Sequence, residues 1–403
     1  MARRKTALLM TVGTGIGGSK EAADSLAHAI VFSLDYSNPD KVIFFGSKLS
    51  KNTIDSVKKQ YQEKYDEEFD FYEFVQIEEI DSFSAYFNAF KYKITELDEY
   101  RIIIDYTSGT KTMTMSAAFA SMLFRKNLYF VSGERKEGVV IKGTEKIVSQ
   151  NLYPIYDDLM LLKIKESFNY NRFEAGKALL EDITRTNKDI YEKLFNAYYY
   201  FDNVDYKKAK EYFDKKGFEK EWPELKNEFG ANAKALHFLN DKDSELKYYY
   251  SLASLLNNAR RRAEEMKYDD AIARLYRSLE LIAQIQLKLN YNIDASNVDL
   301  EILKNYGIDY LSDEEEPVKI SLNQDYILLN ELNDSLGKFY MDNKEKVLQS
   351  LHTRNNSVLA HGLNSQVEKD YTKFRDLVMR FAKILNPKIN FFIDETMFPE
   401  FSI

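Results

Sequence analysis

The first 150 residues alternate short apolar runs with segments of helical composition, and this alternation restricts the fold more than any other feature of the 403-residue chain. A repeated strand–helix succession predicts an α/β domain, Rossmann-like, with a parallel sheet covered by helices on both faces. A further stretch, Gly138–Ile147, predicts a hairpin at the sheet edge. The predicted strands are Ala7–Val12, Val42–Gly46, Phe69–Val75, Arg101–Tyr106 and Leu128–Ser132.

The pattern changes after this region, because no clear strand signal follows and helical periodicity takes over. We predict three domains: the α/β domain at 1–153, an all-α connector at 154–243 and an all-α bundle at 244–403. Later helices are expected at about 328–354 and 367–385. The best-patterned helix places one apolar face at the spacing of α-helical turns, formed by Ile272, Leu275, Tyr276, Leu279, Ile282 and Ala283.

Composition removes several classes of function. The chain has no cysteine, which excludes a disulfide framework, a thiolate zinc site and a cysteine nucleophile. Its four histidines leave little material for a histidine-rich metal site. No run of 18 apolar residues occurs, so a cytoplasmic protein with no membrane segment is expected. The net charge of −8 argues against a general coat for polyanions but permits a local basic site.

Ligands of parallel sheets bind beyond the carboxyl ends of the strands, which directs attention to the loop after the first strand. This loop reads TVGTGIGGSKEAADSL and contains Gly13, Gly15 and Gly18 at the spacing of a dinucleotide-binding turn. A nicotinamide cofactor also requires an acid at the end of the second strand, and Phe44–Lys48 contains none. Two interpretations stay open, a backbone site for an anion and a tight strand-to-helix turn.

The loop after the fourth strand is richer in polar groups. The sequence DYTSGTKTM places Thr107, Ser108, Gly109, Thr110 and Lys111 at the start of a helix, without the glycine spacing of a P-loop. Hydroxyls, free amides and one cation suit phosphates or ribose hydroxyls without a metal. Ordinary N-capping by Ser or Thr is the alternative.

Together these two loops resemble a CARF domain, the cyclic-oligoadenylate sensor of type III CRISPR systems. The resemblance rests on T-x-G-x-G after the first strand and D-Y-T-S-G-T-K-x-M after the fourth. It implies a cyclic oligoadenylate activator, with cyclic tetra-adenylate favoured over cyclic hexa-adenylate, and no cofactor. It implies that the ligand is lined by Thr11, Gly13, Thr14, Thr107, Ser108, Gly109, Thr110 and Lys111.

In the C-terminal region the informative segment is HTRNNSVLAHG, residues 352–362. Arg354 and His361 are seven residues apart, which on a helix puts them on one face about 10 Å apart along the axis. Arginine can hold a phosphate and histidine can transfer protons near neutral pH, while Asn355 and Ser357 add neutral donors. This set suffices for metal-free RNA cleavage; a structural helix on which these residues happen to align is the alternative.

R-N-x-S-x-x-A-H-G resembles the R-x(4–6)-H motif of HEPN ribonucleases, and NARRRAEEMKYDDAIARLYRSLELIAQ resembles the long early helices of that family. The resemblance implies a metal-independent endoribonuclease for single-stranded RNA that leaves 2′,3′-cyclic phosphate ends. One motif per chain and the symmetry of a cyclic activator point to a homodimer. Arg260, Arg261 and Arg262 are interpreted as a solvated helix face paired with Glu264 and Glu265, and guidance of RNA phosphates is the alternative.

We therefore expect a CARF–HEPN ancillary ribonuclease of type III CRISPR defence, activated by a cyclic oligoadenylate. A non-catalytic CARF-type sensor that acts through a partner is the alternative, and a nucleotide-binding oxidoreductase is a weaker third. The sequence leaves open the size of the activator ring, the RNA base preference and the role of the helical connector. It also leaves open whether the sensor slowly cleaves its own activator.

Overall fold

The structure is a computed structural model, which describes residues 3–15, 19–136, 139–184, 186–308, 318–355 and 365–403, with only the backbone of 136, 139 and 351–355. The chain forms two compact units. The first consists of Met1–Leu161 and Ile183–Arg185, and the second of Leu162–Asp182 and Thr186–Ile403. This clustering places the middle and C-terminal helices in one unit, and the three-domain division stays a prediction.

The first unit contains a six-stranded sheet in the order β3-β2-β1-β4-β5-β8. The first five strands in that order pair in parallel, and β8 is antiparallel to β5. This confirms the predicted α/β fold with a mainly parallel sheet. The strands are β1 Thr6–Val12, β2 Lys41–Gly46, β3 Tyr72–Gln76, β4 Arg101–Asp105, β5 Asn127–Ser132, β6 Arg135–Lys136, β7 Val139–Val140 and β8 Lys146–Gln150.

Two strand predictions differ from the structure. The third strand begins at Tyr72 rather than Phe69, and the Phe69 ring is buried and stacked on Tyr72 with centroids 5.3 Å apart. The predicted hairpin over Gly138–Ile147 divides into two pairings: β7 pairs with β6 outside the main sheet, and β8 extends the sheet edge. Apolar alternation alone does not distinguish these partners.

Helices cover both faces of the sheet. Alternate residues of the fully buried strand β1 face opposite cores, so that Ala7 and Leu9 belong to one cluster and Leu8 and Met10 to the other. The helices of this part are α1 Lys20–Ser37, α2 Lys51–Tyr65, α3 Phe83–Glu96 and α4 Lys111–Leu123. The chain then continues into α5, Tyr153–Asn169.

The rest of the described chain is helical, as predicted, and the long helices of its C-terminal part share one extended apolar core. None of the helices within the described ranges has the length and apolar character needed to cross a membrane. The helices are α6 Phe173–Glu181, α7 Lys188–Asp202, α8 Tyr206–Tyr212, α9 Lys215–Glu221, α10 Lys226–Leu239, α11 Leu246–Glu264, α12 Tyr268–Tyr291, α13 Leu300–Asn305, α14 Leu322–Glu331, α15 Ser335–Asn355, α16 Glu368–Leu385 and α17 Ile389–Glu395.

The single helix predicted at about 328–354 is wrong, because α14 and α15 form a tight helical hairpin there. Asn333 adopts a left-handed conformation with φ of +61°. Asp334 caps the second helix, its Oδ1 accepting from Leu336 N at 2.8 Å, while its Oδ2 accepts from Gln286 Nε2 at 2.6 Å. A side-chain contact from another helix therefore fixes a break that apolar periodicity does not reveal.

Candidate functional site

The loops after β1 and β4 are neighbours because these strands pair directly, with Met10 opposite Asp105. From β1 the sheet continues to β2 on one side and to β4 on the other. Parallel sheets bind ligands at such a reversal of strand order, in the crevice beyond the carboxyl ends. The two loops singled out by the sequence thus meet at one position.

Hydrogen bonds join the two loops. The Thr11 hydroxyl donates to the Ser108 carbonyl, and Gly13 N donates to Ser108 Oγ at 3.0 Å. Thr11 and Ser108 are both buried. These contacts give their hydroxyls a role in holding the loops together, and their contact with a ligand stays a prediction.

Close approach of the backbones explains two of the glycines. A Cβ on Gly13 would lie 3.1 Å from Gly109 Cα, and a Cβ on Gly109 would lie 3.2 Å from Thr11 Cβ. Gly109 also has a φ of +124°, which L side chains rarely adopt. At these two positions a side chain would crowd the neighbouring loop.

The exposed part of the site is the start of α4. Thr110 is its N-cap, with Oγ1 accepting from Met113 N at 3.3 Å, and Lys111 is the exposed first residue. Thr107 Oγ1 accepts from Val131 N at 2.9 Å, whereas Thr14 is half-buried in the first loop. A helix N-terminus beside a cation is suited to bind an anion such as phosphate.

Asp105 is a site-forming residue to which the sequence analysis assigned no role. Its carboxylate is fully buried, with Oδ1 accepting from Thr107 N at 2.7 Å and Oδ2 accepting from Ser33 Oγ at 2.5 Å. Burial raises the pKa of this carboxyl above its ordinary value, against the opposing effect of the hydrogen bonds. Asp105 thereby fastens the fourth-strand loop to α1, a contact with no signal in the local sequence.

The first loop is held from its other side by α2 and the turn before it. Ser50 Oγ donates to Val12 O at 2.7 Å, and Thr53 Oγ1 donates to Gly13 O at 2.9 Å. Both residues are buried. Serine and threonine in a helical first turn look like ordinary capping residues in the sequence, so this support was also missed.

The C-terminal motif begins at the end of α15. This helix ends at Asn355, which puts the backbone of Arg354 and Asn355 in its last turn. The side chains of these two residues, together with Ser357 and His361, lie outside the described residues, and their roles stay predictions. The chain that follows the motif is attached to the first turn of α12, where Asp269 Oδ2 accepts from Gln366 N at 3.1 Å.

The interpretation of the arginine run as a solvated face is wrong for Arg261. Its guanidinium is buried, with Nε donating to Asp202 Oδ1 at 2.8 Å and the group stacked 3.8 Å from the Phe398 ring centroid. Arg260 does follow the expectation, because its Nε contacts Glu264 Oε1 at 2.8 Å on an exposed surface. Arg262 pairs with Glu265 at 3.3 Å but also with Asp202.

Two sequence models of the Csm6 family match adjacent parts of the chain. The Csm6 6H domain matches residues 156–237, and the Csm6 HEPN domain matches residues 240–385. Together they cover more than half of the chain, and the second includes both Arg354 and His361. This match supports the prediction of a ribonuclease in the C-terminal region.

The fold of almost the whole chain is similar to that of a solved structure, Enterococcus italicus Csm6 bound to cyclic hexa-2′-fluoro-hexa-dAMP. The TM-score is 0.62 over 98% of this chain and 100% of that chain, with 15% sequence identity. No curated protein matches the chain. Because both helical segments match Csm6 domains and the α/β unit precedes them as in the Csm6 fold, the chain is a CARF–HEPN protein of the Csm6 type.

Proposed function

We propose that this protein is a cyclic-oligoadenylate-activated, metal-independent endoribonuclease that cleaves single-stranded RNA in type III CRISPR antiviral defence. The observation that carries the proposal is the match to the Csm6 HEPN domain across the segment that contains Arg354 and His361. We place the protein in the cytoplasm, where invading transcripts are found.

Cleavage uses the RNA's own ribose. The 2′-hydroxyl attacks the adjacent phosphorus, the bond to the 5′-oxygen of the next nucleotide breaks, and a 2′,3′-cyclic phosphate remains. Arg354 stabilises the negative charge that develops on the phosphorane, and His361 acts as general acid or base. Asn355 and Ser357 donate further hydrogen bonds to the same group.

In the sensor, Lys111 and the N-terminal amides of α4 bind an activator phosphate, and the hydroxyls of Thr14 and Thr110 bind riboses. The ligand held by the Enterococcus italicus protein, a cyclic hexamer of 2′-fluoro-dAMP, supports this class of activator. The sequence resemblance favours a ring of four, so both sizes require testing. A bent ribose phosphate held this way is close to the in-line geometry, so slow cleavage of the activator is part of the proposal.

A homodimer completes both sites. A ring with rotational symmetry matches two identical loops related by a two-fold axis. Each chain carries one Arg354 and one His361, whereas fast cleavage requires a general acid and a general base together. Two motifs facing one cleft supply both groups.

The test is incubation of the purified protein with a fluorescent single-stranded RNA and either cyclic tetra-adenylate or cyclic hexa-adenylate, with EDTA present. We expect cleavage with one of the two rings, and cyclic phosphate ends detected by mass spectrometry of the products. Cleavage that is lost on chelation and restored by manganese would refute metal independence. Tight activator binding without any cleavage would favour the non-catalytic sensor instead.

A further inference from the structure

A cavity of about 620 Å³ lies in the second unit. Its volume is within the range of small-ligand pockets, roughly 300–1,000 Å³. Its walls come from α11, α12, the loop after α12 and the start of α14. The side chains used below are Tyr248, Tyr276, Arg277, Gln284, Lys288 and Lys319.

Part of the cavity lining is suited to a phosphate. It includes Arg277, Lys288 and Lys319, although the whole chain is acidic. Ser321 and Leu322, the N-cap and first residue of α14, also line the cavity, so the positive end of this ten-residue helix opens into the same space. Cations and a helix N-terminus that converge on one cavity favour an anionic group.

Other side chains of the cavity lining are suited to a nucleobase. Tyr248 and Tyr276 are half-buried there and present aromatic surface, on which bases stack in single-stranded nucleic acids. Glu280 and Asp294 also line the cavity and can accept hydrogen bonds from exocyclic amino groups. Arg277 Nη1 contacts Glu280 Oε2 at 3.4 Å and Gln284 Oε1 at 3.0 Å, which holds its guanidinium beside these two side chains of the cavity lining.

A buried carboxyl lies beside the cavity. Asp325, one turn into α14, is 1% exposed, and neither carboxyl oxygen has a hydrogen-bond partner in the described part of the chain. The charged groups that act on it are Glu280, Arg277 and Lys319, all of which line the cavity. Burial raises the pKa of Asp325 to about 8, so at neutral pH the carboxyl is mostly protonated and does not cancel the field of the neighbouring cations.

The cavity and Gln366, which follows the motif segment in the chain, are both in contact with α12. Asp269, which holds the chain just after the motif, and Tyr276 and Glu280, which line the cavity, are spaced to share one stripe of this helix. The distance along the axis from Asp269 to Arg277 is about 12 Å at 1.5 Å per residue. We therefore expect an RNA strand bound along this helix to place one nucleotide near Gln366 and a different one in the cavity.

We propose that this cavity binds one nucleotide of the single-stranded RNA substrate, at a position separate from the cleaved phosphate. Lys288, Lys319 and the start of α14 hold its phosphate, while Tyr248 and Tyr276 stack on its base. The inference rests on the proposed function for the identity of the polymer, and it locates a determinant of base preference.

The experiment measures binding rather than cleavage, with a fluorescent ten-nucleotide RNA whose 2′-hydroxyls are methylated so that it cannot be cut. Full-length protein is titrated by fluorescence anisotropy with and without the cyclic oligoadenylates. The variant is Lys288→Gln with Lys319→Gln, and the matched control is Lys338→Gln, an exposed lysine on α15 outside the cavity. We expect the variant to bind about tenfold more weakly than wild type and the control to match wild type.

Salt dependence provides a second readout. Each phosphate neutralised on a single strand contributes about 0.7 to the slope of log affinity against log salt, so losing both cations that hold this one phosphate should lower the slope by about 0.7. Equal affinity and equal slope in the variant and the control would overturn the proposal. Displacement of the RNA by free AMP at the same concentration would instead make this a site for a free nucleotide.

The outcome is separate from that of the proposed function. If the wild-type protein binds the uncleavable RNA through Lys288 and Lys319 but never cleaves RNA, the assignment of the cavity stands and the catalytic proposal fails. Crosslinking with 4-thiouridine RNA gives an independent measurement on unmodified protein. A crosslink to the peptide with Tyr248 or the peptide with Tyr276 is expected, and crosslinks confined to peptides that contain neither residue would overturn the assignment.

Discussion

Buried polar side chains serve different purposes in the two units of this protein. In the first unit, Thr11, Asp105 and Ser108 lie at one edge of the sheet and hydrogen-bond to the backbone of loops that remain close to solvent. In the second unit, Asn232 and Asn257 hydrogen-bond to backbone carbonyls of the segment that ends the chain, at distances between 2.7 and 3.0 Å. One set builds a site, and the other fastens helices together.

The difference follows from the two kinds of secondary structure. Parallel strands end together at one edge, where loop backbone groups need partners and glycines allow close contact, so polar groups gather beside a crevice. Helices satisfy their backbone groups internally, so a buried polar side chain can serve tertiary contacts instead. Asp202, which pairs with Arg261 and Arg262, is such a contact.

The largest expected effect is at the C-terminal motif, where function should be lost without loss of structure. Arg354→Ala or His361→Ala should lower activator-stimulated RNA cleavage by about a thousandfold, since a general acid or base contributes roughly 10²–10⁴. Calorimetric affinity for the cyclic oligoadenylate should stay unchanged. The control is His237→Ala on the exposed surface of α10. Cleavage within threefold of wild type would remove the motif from the mechanism.

The stabilising role of a buried fastening residue is tested at Asp202, by comparison with an exposed ion pair. Asp202→Ala leaves the buried Arg261 without its partner and should lower the free energy of unfolding by about 3–5 kcal/mol. The matched control, Glu264→Ala, removes the exposed partner of Arg260 and should cost less than about 1 kcal/mol. Urea unfolding followed by circular dichroism measures both. Equal losses of unfolding free energy in the two variants would show that the buried Asp202 pair is no more stabilising than the exposed Glu264 pair.

The sensor loop should respond in affinity rather than in stability. Lys111→Ala should raise the activator concentration for half-maximal cleavage by tenfold or more, because α4 then presents no cation beside its N-terminus. The control is Lys5→Ala, an exposed lysine at the opposite end of the same sheet. The thermal midpoint should stay within about 1 °C of wild type in both. An unchanged dose response would place the activator elsewhere.

The smallest expected effect, counted for each pH unit, is the pH dependence of folding stability that Asp325 produces. Its pKa is raised to about 8 in the folded protein by burial and by Glu280, against Arg277 and Lys319, whereas an unfolded aspartate titrates near ~4. Between these values the folded state binds more protons, so its stability falls as pH rises from about 4 to about 8 and then levels off. The slope contributed is at most about 1.4 kcal/mol per pH unit. Urea unfolding at several pH values should show this slope in wild type and not in Asp325→Asn; parallel curves would contradict it.

Much of the architecture could be predicted from the sequence, and the misses have a common cause. The alternation of apolar runs identified all five parallel strands, and the helical periodicity identified the core face of α12. The break between α14 and α15 was missed because it depends on a contact between Asp334 and Gln286, which are far apart in the chain. Arg261 was misread because its partner, Asp202, is on another helix.

The sequence by itself determined the order of sheet and helices, the two glycine- and hydroxyl-rich loops and the Arg354–His361 spacing, since each depends on residues close together in the chain. Only the tertiary structure decided which hydroxyls hold loops and which face solvent, that Asp105 fastens the fourth-strand loop to α1, and that Arg277, Lys288 and Lys319 surround one cavity. These depend on which distant segments the sheet order and the helix packing bring together, and local patterns of polarity do not encode that.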